Sequence, residues 1–164
     1  MKRIISILME NEFGALSRVV GLFSQRGYNI DTLTVAPTDD ETLSRLTLTT
    51  QGDSQMAEQI VKQLHKLIDT IKVVGLTEGA HIERELMLVK VKASENDSRT
   101  ELESCVEIFR GHIIDVTPST YTVQLAGDTE KLDAFVEAVS HMGIMEVVRS
   151  GVSGISRGDK FVRA

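Results

Sequence analysis

The residues best suited to bind a ligand lie in the stretch NEFGALSRVVGLFSQRGYNI, residues 11–30, which stands between two apolar runs. Gly14 lies in the entry turn of a predicted helix. The first four backbone N–H groups of a helix have no partner inside it and meet the positive end of its dipole. Because Gly14 has no Cβ, a ligand can approach the N–H groups of the next three residues, Ala15, Leu16 and Ser17. The pattern predicts a carboxylate site at this turn.

Asn11 adds a second function to the same turn. Its side-chain amide offers donors and an acceptor, and the acceptor oxygen can receive a hydrogen bond from an ammonium group. A carboxylate and an ammonium group bound side by side are the head of a free α-amino acid. The alternative is that Asn11 and Gly14 only shape and cap the turn, and the residues alone leave both interpretations open.

The elements that must position this turn follow from the spacing of apolar residues. Residues at i, i+3, i+4 and i+7 predict a helix that packs on one face, and two such helices stand between four predicted strands. Gly27 is expected to end the first helix in the left-handed conformation, and Ser54 to cap the start of the second. The predicted strands are residues 2–9, 31–36, 43–50 and 70–76, and the helical stripes are Leu16, Val19, Val20 and Phe23, then Ala57, Ile60, Val61 and Leu64.

The second half of the chain repeats this order, with Gly111 expected to end its first helix. Two βαββαβ units predict an α+β protein of two tandem ferredoxin-like units, each an antiparallel sheet with both helices on one face. We assign residues 1–77 and 84–152 to the two domains, residues 77–83 to a linker and residues 153–164 to a C-terminal tail. The predicted strands are residues 86–91, 113–116, 121–125 and 144–148, and the stripes are Leu102, Cys105, Val106 and Phe109, then Leu132, Phe135, Val136 and Val139.

The other face of each predicted sheet carries no helix. A small sheet with an apolar open face or edge usually covers it by pairing with another copy of the chain. We therefore expect a homodimer or a higher assembly.

Composition restricts the partners and the compartment. The net charge of −6, from 18 basic and 24 acidic residues, argues against nucleic acid or an anionic membrane as a partner. A single cysteine excludes an internal disulfide and fits a reducing compartment. No run approaches the roughly 20 apolar residues of a membrane span, and the first apolar run is too short for a signal segment. We expect a cytoplasmic protein.

No catalytic or metal-binding residue is predicted in this chain. The four histidines, at positions 65, 81, 112 and 141, lie on four different segments, whereas a zinc site needs several convergent ligands at defined spacing. Cys105 occupies an apolar helix position and is expected in the core. Asp39 and Asp40 follow a Pro-Thr pair, which favours a turn over a paired general acid and base. No glycine-rich phosphate-binding motif is present.

One long run of the first half of the chain resembles the N-terminal ACT domain of a known family, the small, regulatory subunits of acetolactate synthase, also called acetohydroxyacid synthase. This run is NEFGALSRVVGLFSQRGYNIDTLTVAPTDDETLSRLTL. The second half resembles the same family in EIFRGHIIDVTPSTYTVQLAG, LDAF and RSGVSGISRG. The resemblance covers nearly the whole chain. GLFSQRGYNI with LTVAPTDD is far more specific than a general ACT pattern.

This resemblance implies a non-catalytic protein that activates the catalytic (large) subunit of acetolactate synthase in branched-chain amino-acid biosynthesis (valine, leucine, isoleucine). It also implies that the protein confers feedback inhibition, usually by valine. By the same resemblance, the ACT domains form a homodimer, and the second domain serves assembly and contact with the catalytic subunit. Thiamine diphosphate, magnesium and FAD are expected only in the catalytic subunit, and no cofactor is expected in this chain.

The effector contacts implied by the resemblance come from two protomers. One protomer contributes Asn11, Gly14, Ala15 and Leu16, and its partner contributes Asn29 and Ile30. Ser17, Val35 and Ala36 are candidates for positions just behind these contacts, although core packing explains Leu16 and Val35 equally well. The acidic stretch SENDSRTELES, residues 94–104, departs from the family pattern and bears only on contact with the catalytic subunit.

Two alternatives remain open. An ACT-type sensor of another enzyme or amino acid has the same fold. One methylene in an apolar pocket changes affinity by only about 1–3 kcal/mol, so these residues do not rank valine, isoleucine and leucine. A small enzyme of the acylphosphatase kind also has this fold, but it needs a phosphate-binding loop with an Arg near the first helix, where this chain has Asn-Glu-Phe-Gly.

Overall fold

The computed structural model describes residues 1–164, which form two compact units. Residues 1–83 and 151–164 make up unit 1, and residues 84–150 make up unit 2. Each unit contains an antiparallel sheet and two helices in the order βαββαβ. The predicted α+β fold of two ferredoxin-like units is therefore confirmed. The sequence pattern did not predict the return of residues 151–164 to unit 1.

The elements of unit 1 alternate between the sheet and its two helices. They are β1 (Lys2–Glu10), α1 (Ala15–Gln25), β2 (Thr32–Pro37), β3 (Leu43–Gln51), α2 (Ser54–Leu64) and β4 (Thr70–Gly75), followed by a short 3₁₀ turn (Leu76–Glu78). The strand order is β2-β3-β1-β4, and every neighbouring pair is antiparallel. β2 therefore lies at one edge of the sheet.

The helix face of this sheet forms the main core of unit 1. Ile7 of β1 and Leu46 of β3 are opposite each other and point to this face. Phe23 from α1 and Ile60 from α2 pack against them, and all four side chains are buried. Because the stripes of both helices face one sheet surface, α1 begins at a fixed place above the end of β1.

Unit 2 has the same arrangement with a longer first strand. Its elements are β5 (His81–Lys92), of which residues 81–83 belong to unit 1, α3 (Asn96–Ile108), β6 (His112–Val116), β7 (Thr120–Gly127), α4 (Thr129–Val139), a 3₁₀ turn (Ser140–Met142) and β8 (Ile144–Arg149). The strand order is β6-β7-β5-β8. Val89, Val123, Leu102 and Phe135 lie in its buried core, and Cys105 packs against this core while remaining half-buried.

Residues 151–154 lie against the open face of the unit 1 sheet, which was expected to be bare. A short strand, β9 (Ser153–Ser156), pairs with β5. Val152 is 2% exposed and packs with Ile4 and Leu76. The residues predicted as a tail thus contain a strand and belong to unit 1, and β5 begins within the residues predicted as a linker.

The helix ends correct two expectations and confirm a third. Asp53, not Ser54, caps α2, because its carboxylate accepts a hydrogen bond from the N–H of Met56. Arg110, not Gly111, takes the left-handed conformation after α3, with φ 57°. Gly27 takes it after α1, as predicted, with φ 70°. None of the four helices has both the length and the apolar character needed to cross a bilayer.

Candidate functional site

Asn11 is held in place where β1 ends. Its backbone N–H donates to the carbonyl of Thr42 at 2.8 Å, and its side-chain Nδ2 donates to the carbonyl of Glu41 at 2.9 Å. Both partners lie in the turn between β2 and β3. These two bonds fix the side chain and leave its Oδ1 as an acceptor, which is the group assigned to an incoming ammonium.

Gly14 is the residue that precedes α1, and its φ of 84° is a conformation that favours glycine. No side chain caps this helix start. The N–H of Ala15 donates to the carbonyl of Glu12 at 3.3 Å, and the first helical bond joins Arg18 N to the carbonyl of Gly14 at 3.0 Å. The carboxylate site therefore has the N–H groups of Leu16 and Ser17 as donors, one fewer than the sequence predicted.

Arg18 brings a guanidinium group to this helix start. Its Nη1 lies 3.4 Å from the position that a Cβ on Gly14 would occupy. The same Nη1 is 2.5 Å from Oδ2 of Asp69, whose side chain is only 10% exposed. Helix N–H groups and a guanidinium thus converge beside Gly14, and both favour a bound carboxylate.

Three carboxylates stand next to this positive group. Carboxylate oxygens of Glu10, Glu12 and Asp69 all lie within 4.8 Å of one another. Because the positive charge of Arg18 balances the negative charge of Asp69, the unbalanced negative charge of this cluster belongs to the two exposed glutamates. A positive and a negative region side by side match the charge distribution of a zwitterionic amino-acid head.

The remaining predicted contacts at this helix start differ in exposure. Ala15 is buried in the core at 2% exposure, and Leu16 packs partly against the same core. Their side chains therefore serve packing, while their backbone faces the turn. Ser17 is exposed. Phe13 is fully exposed at the same turn, and an apolar ring at this place can cover a bound side chain.

Asn29 and Ile30 lie far from Gly14 within one chain. The hydroxyl of Thr50 donates to the carbonyl of Asn29 at 2.6 Å, and Thr50 pairs with Arg3 at the start of β1. Asn11, in contrast, follows the end of β1. The length of β1 separates the two groups by roughly 26 Å, at about 3.3 Å per residue. The structure brings Asn11 together with residues 14–17, but it does not bring Asn29 and Ile30 to them in a single protomer.

Val35 and Ala36 lie on edge strand β2, toward the end of the sheet that carries Asn11. Ala36 pairs with Arg45, and Arg45 pairs in turn with Leu8 near the end of β1. Both candidates are exposed. Burial in the core therefore does not explain Val35, although this was the alternative explanation from the sequence.

Asp40 takes part in the β2–β3 turn, as the sequence predicted. Its Oδ1 accepts hydrogen bonds from the N–H and the hydroxyl of Thr42 at 2.9 and 2.6 Å. These bonds lower the pKa of Asp40, first through the Thr42 hydroxyl and then through the Thr42 N–H. A carboxyl held in its charged form has no proton to donate, so Asp40 is unsuited to general acid chemistry at neutral pH.

Sequence reasoning missed Arg18 and Asp69. The position of Arg18 was available, because a residue four places after Gly14 lies one helical turn above it. The position of Asp69 was not available, because 51 residues separate it from Arg18 and only the folded sheet brings them together.

Comparison with known proteins adds an independent observation. The family model for "AHAS small subunit-like ACT domain" matches residues 5–72, and the model for "Small subunit of acetolactate synthase" matches residues 84–158. The chain is 63% identical over 164 residues to the acetolactate synthase isozyme 3 small subunit of Escherichia coli, with 99% of this chain and 100% of the relative covered. This chain belongs to the acetolactate synthase small subunit family.

Other members of the family agree with this assignment. The acetolactate synthase small subunit of Haemophilus influenzae is 58% identical over 161 residues, covering 98% of both chains. The crystal structure of the acetolactate synthase small subunit from Thermotoga maritima is 34% identical and superimposes with a TM-score of 0.87, over 98% of this chain and 99% of that one. In this regulatory small subunit, the candidate site therefore lies in the ACT domain.

Proposed function

We propose that this chain activates the catalytic subunit of acetolactate synthase and makes it sensitive to feedback inhibition by valine. The observation that carries the proposal is the start of α1. There the N–H groups of Leu16 and Ser17 and the guanidinium of Arg18 converge beside Gly14. In a member of the small subunit family, this geometry is suited to an amino-acid effector.

The effector is bound as a zwitterion in this proposal. Its carboxylate accepts hydrogen bonds from the start of α1, and its ammonium group donates to Oδ1 of Asn11. The glutamates beside Asp69 add a negative potential that favours the ammonium group. A branched aliphatic side chain then meets the apolar surface of the turn and of Val35.

A second protomer completes the site. β2 is an edge strand, and its outer N–H and C=O groups offer a place for another chain to pair. We propose that ACT domains pair side by side, so that Asn29 and Ile30 of the partner subunit reach the effector. Residues 151–154 lie against the open face of the sheet, which supports a dimer formed through the edge.

Inhibition then follows from a shift between two states of the dimer. A ligand can shift such an equilibrium only through a different affinity for the two states. Coupling of about 1–3 kcal/mol, which is typical of allosteric proteins, gives several-fold to about hundredfold inhibition.

The chemistry stays in the large subunit, which holds thiamine diphosphate, magnesium and FAD. The small subunit is non-catalytic and works in the cytoplasm.

The experiment that tests this proposal is reconstitution. Acetolactate formation is measured with the catalytic subunit alone, with this chain alone and with both, each with and without valine. The proposal expects no activity from this chain alone, higher activity from the mixture and inhibition of the mixture by valine. A mixture that is activated but responds to another amino acid would instead favour an ACT sensor with a different effector, and leucine and isoleucine are included for this reason.

A further inference from the structure

The backbone of Val152 is bound by two threonines of β2. Thr34 Oγ1 donates to the carbonyl oxygen of Val152 at 3.2 Å, and the N–H of Val152 donates to Thr32 Oγ1 at 3.4 Å. Thr32 and Thr34 lie on the same face of β2, two residues apart. Both backbone groups of one residue are thus satisfied by side chains of the edge strand. This fixes Val152 at one place on β2.

Gly151 allows this close approach. Its φ is 87°, and a Cβ built on it would lie 3.2 Å from Cγ2 of Thr34 and 3.4 Å from the carbonyl oxygen of Leu33. A side chain at this position would press directly against β2. The segment is also anchored on its other side, where the Val152 side chain packs with Ile4.

Hydrogen bonds to two adjacent residues of β3, Thr49 and Thr50, connect this contact with the segment that contains Asn29. Thr32 Oγ1 and Thr49 Oγ1 are 2.7 Å apart, and the carbonyl of Thr49 accepts from the N–H of Asp31 at 2.8 Å. The next residue of β3, Thr50, donates its hydroxyl to the carbonyl of Asn29. The residues that hold Val152 therefore belong to the same hydrogen-bonded layer as a proposed effector contact.

Val152 stands where the chain re-enters unit 1. Unit 2 ends at Ser150, and residues from Gly151 onward belong to unit 1. Val152 therefore lies two residues after the last residue of unit 2.

We propose that Thr32 and Thr34 couple the effector site to unit 2 by holding Val152 on β2. The inference rests on the proposed function, and it adds the route by which effector binding at unit 1 changes the rest of the subunit. In this proposal, effector binding moves β2 and Asn29 toward the effector site of the partner subunit. The two hydrogen bonds to Val152 then differ between the free and the bound state, which gives the coupling a physical basis.

The test separates effector binding from its transmission. Thr34→Val removes the hydroxyl that donates to Val152 and keeps the branched shape. Thr34→Ser keeps the hydroxyl and serves as the rescue variant. Thr70→Val is the matched control, because Thr70 Oγ1 is buried in the same unit without a hydrogen-bond partner. Each full-length variant is measured by calorimetry with valine, and each reconstituted holoenzyme is measured for activation and for inhibition by valine.

Thr34→Val is expected to bind valine and to activate the catalytic subunit as the wild type does. The ratio of uninhibited to fully inhibited activity is expected to fall by roughly fivefold, because one hydrogen bond is lost. Thr34→Ser and Thr70→Val keep the wild-type ratio.

An unchanged ratio in Thr34→Val, or equal loss in Thr34→Ser, would overturn the coupling while leaving the effector site intact. If Thr34→Val does not fold, Thr32→Val is measured in its place with the same two outcomes. A wild-type chain that binds no valine would contradict the proposed function itself, and the inference with it.

Discussion

Arg18 donates a hydrogen bond to Asp69 across 51 residues of sequence, with Nη1 and Oδ2 2.5 Å apart. Asp69 is buried, whereas the Arg18 side chain is about half exposed. The buried carboxylate therefore holds the guanidinium beside Gly14, close to the N–H groups at the start of α1. An effector carboxylate at this place gains a charged donor that is already positioned.

Arg18→Gln is predicted to weaken valine binding. A hydrogen bond from a charged donor contributes about 1.5–3 kcal/mol, and the exposure of Arg18 favours the lower value, so the Kd should rise by roughly tenfold. The control is Arg26→Gln, because Arg26 lies just after the same helix and its side chain donates to Oε1 of Gln63 rather than to a carboxylate. Calorimetry showing equal Kd values for the two variants would contradict a role for Arg18 in binding.

Gly14→Asp is predicted to abolish inhibition by valine while leaving activation intact. The new carboxylate would stand where the effector carboxylate binds, and a side chain at φ 84° adds strain at the helix start. Gly158→Asp is the matched control, because Gly158 also has a positive φ, 69°, and open space around it. Normal valine binding by Gly14→Asp in calorimetry would remove this turn from the effector site.

Arg149→Met is predicted to destabilise unit 2. Arg149 Nη2 is 2.9 Å from Oε2 of Glu85, whose side chain is 2% exposed, and its Nη1 is 2.6 Å from Oδ1 of Asp133. Glu85 raises the pKa of Arg149 through this hydrogen bond, the largest of several effects. Removing the cation beside a buried carboxylate costs about 3 kcal/mol in the free energy of unfolding.

The comparison for Arg149→Met is Lys62→Met, which breaks an exposed helical pair with Glu58. Solvent screens an exposed pair of this kind, so Lys62→Met is expected to lower the free energy of unfolding much less than Arg149→Met does. Urea unfolding followed by circular dichroism measures both variants. Equal losses of stability would show that burial of Glu85 adds nothing to the pair with Arg149.

The fold could be predicted because it depends on local periodicity. The stripe of α1, which includes Val19 and Phe23, has the spacing of a helix that packs on one face, and both side chains are buried as expected. The second unit repeats the pattern, so the order of strands and helices was available without any structure. The same periodicity does not determine which residue caps a helix. Asp53 and Ser54 both have side chains that can cap, and only the backbone geometry decides between them.

The candidate site could be predicted only where its residues are close in sequence. Asn11 and Gly14 lie in one turn, and their chemistry indicated a carboxylate and an ammonium group. Asp69 reaches the turn through the pairing of β4 with β1, which no local pattern contains. Val152 reaches β2 through a segment with no clear periodicity. For this reason, residues 153–164 were expected to form a tail.

Complementation between two defective chains tests whether the valine site is shared by two protomers. Gly14→Asp damages the start of α1, and Asn29→His damages the contact assigned to the partner subunit. Each variant alone is predicted to be insensitive to valine. In a mixed dimer, the intact Gly14 of one chain meets the intact Asn29 of the other, which restores one of the two sites.

Co-expression of the two variants, followed by calorimetry with valine, measures this restoration. If protomers pair at random, half of the dimers are mixed, and about a quarter of the wild-type number of valine sites should return. The reconstituted holoenzyme should recover inhibition to a similar extent. A mixture that binds no more valine than either parent would contradict a site shared between two protomers.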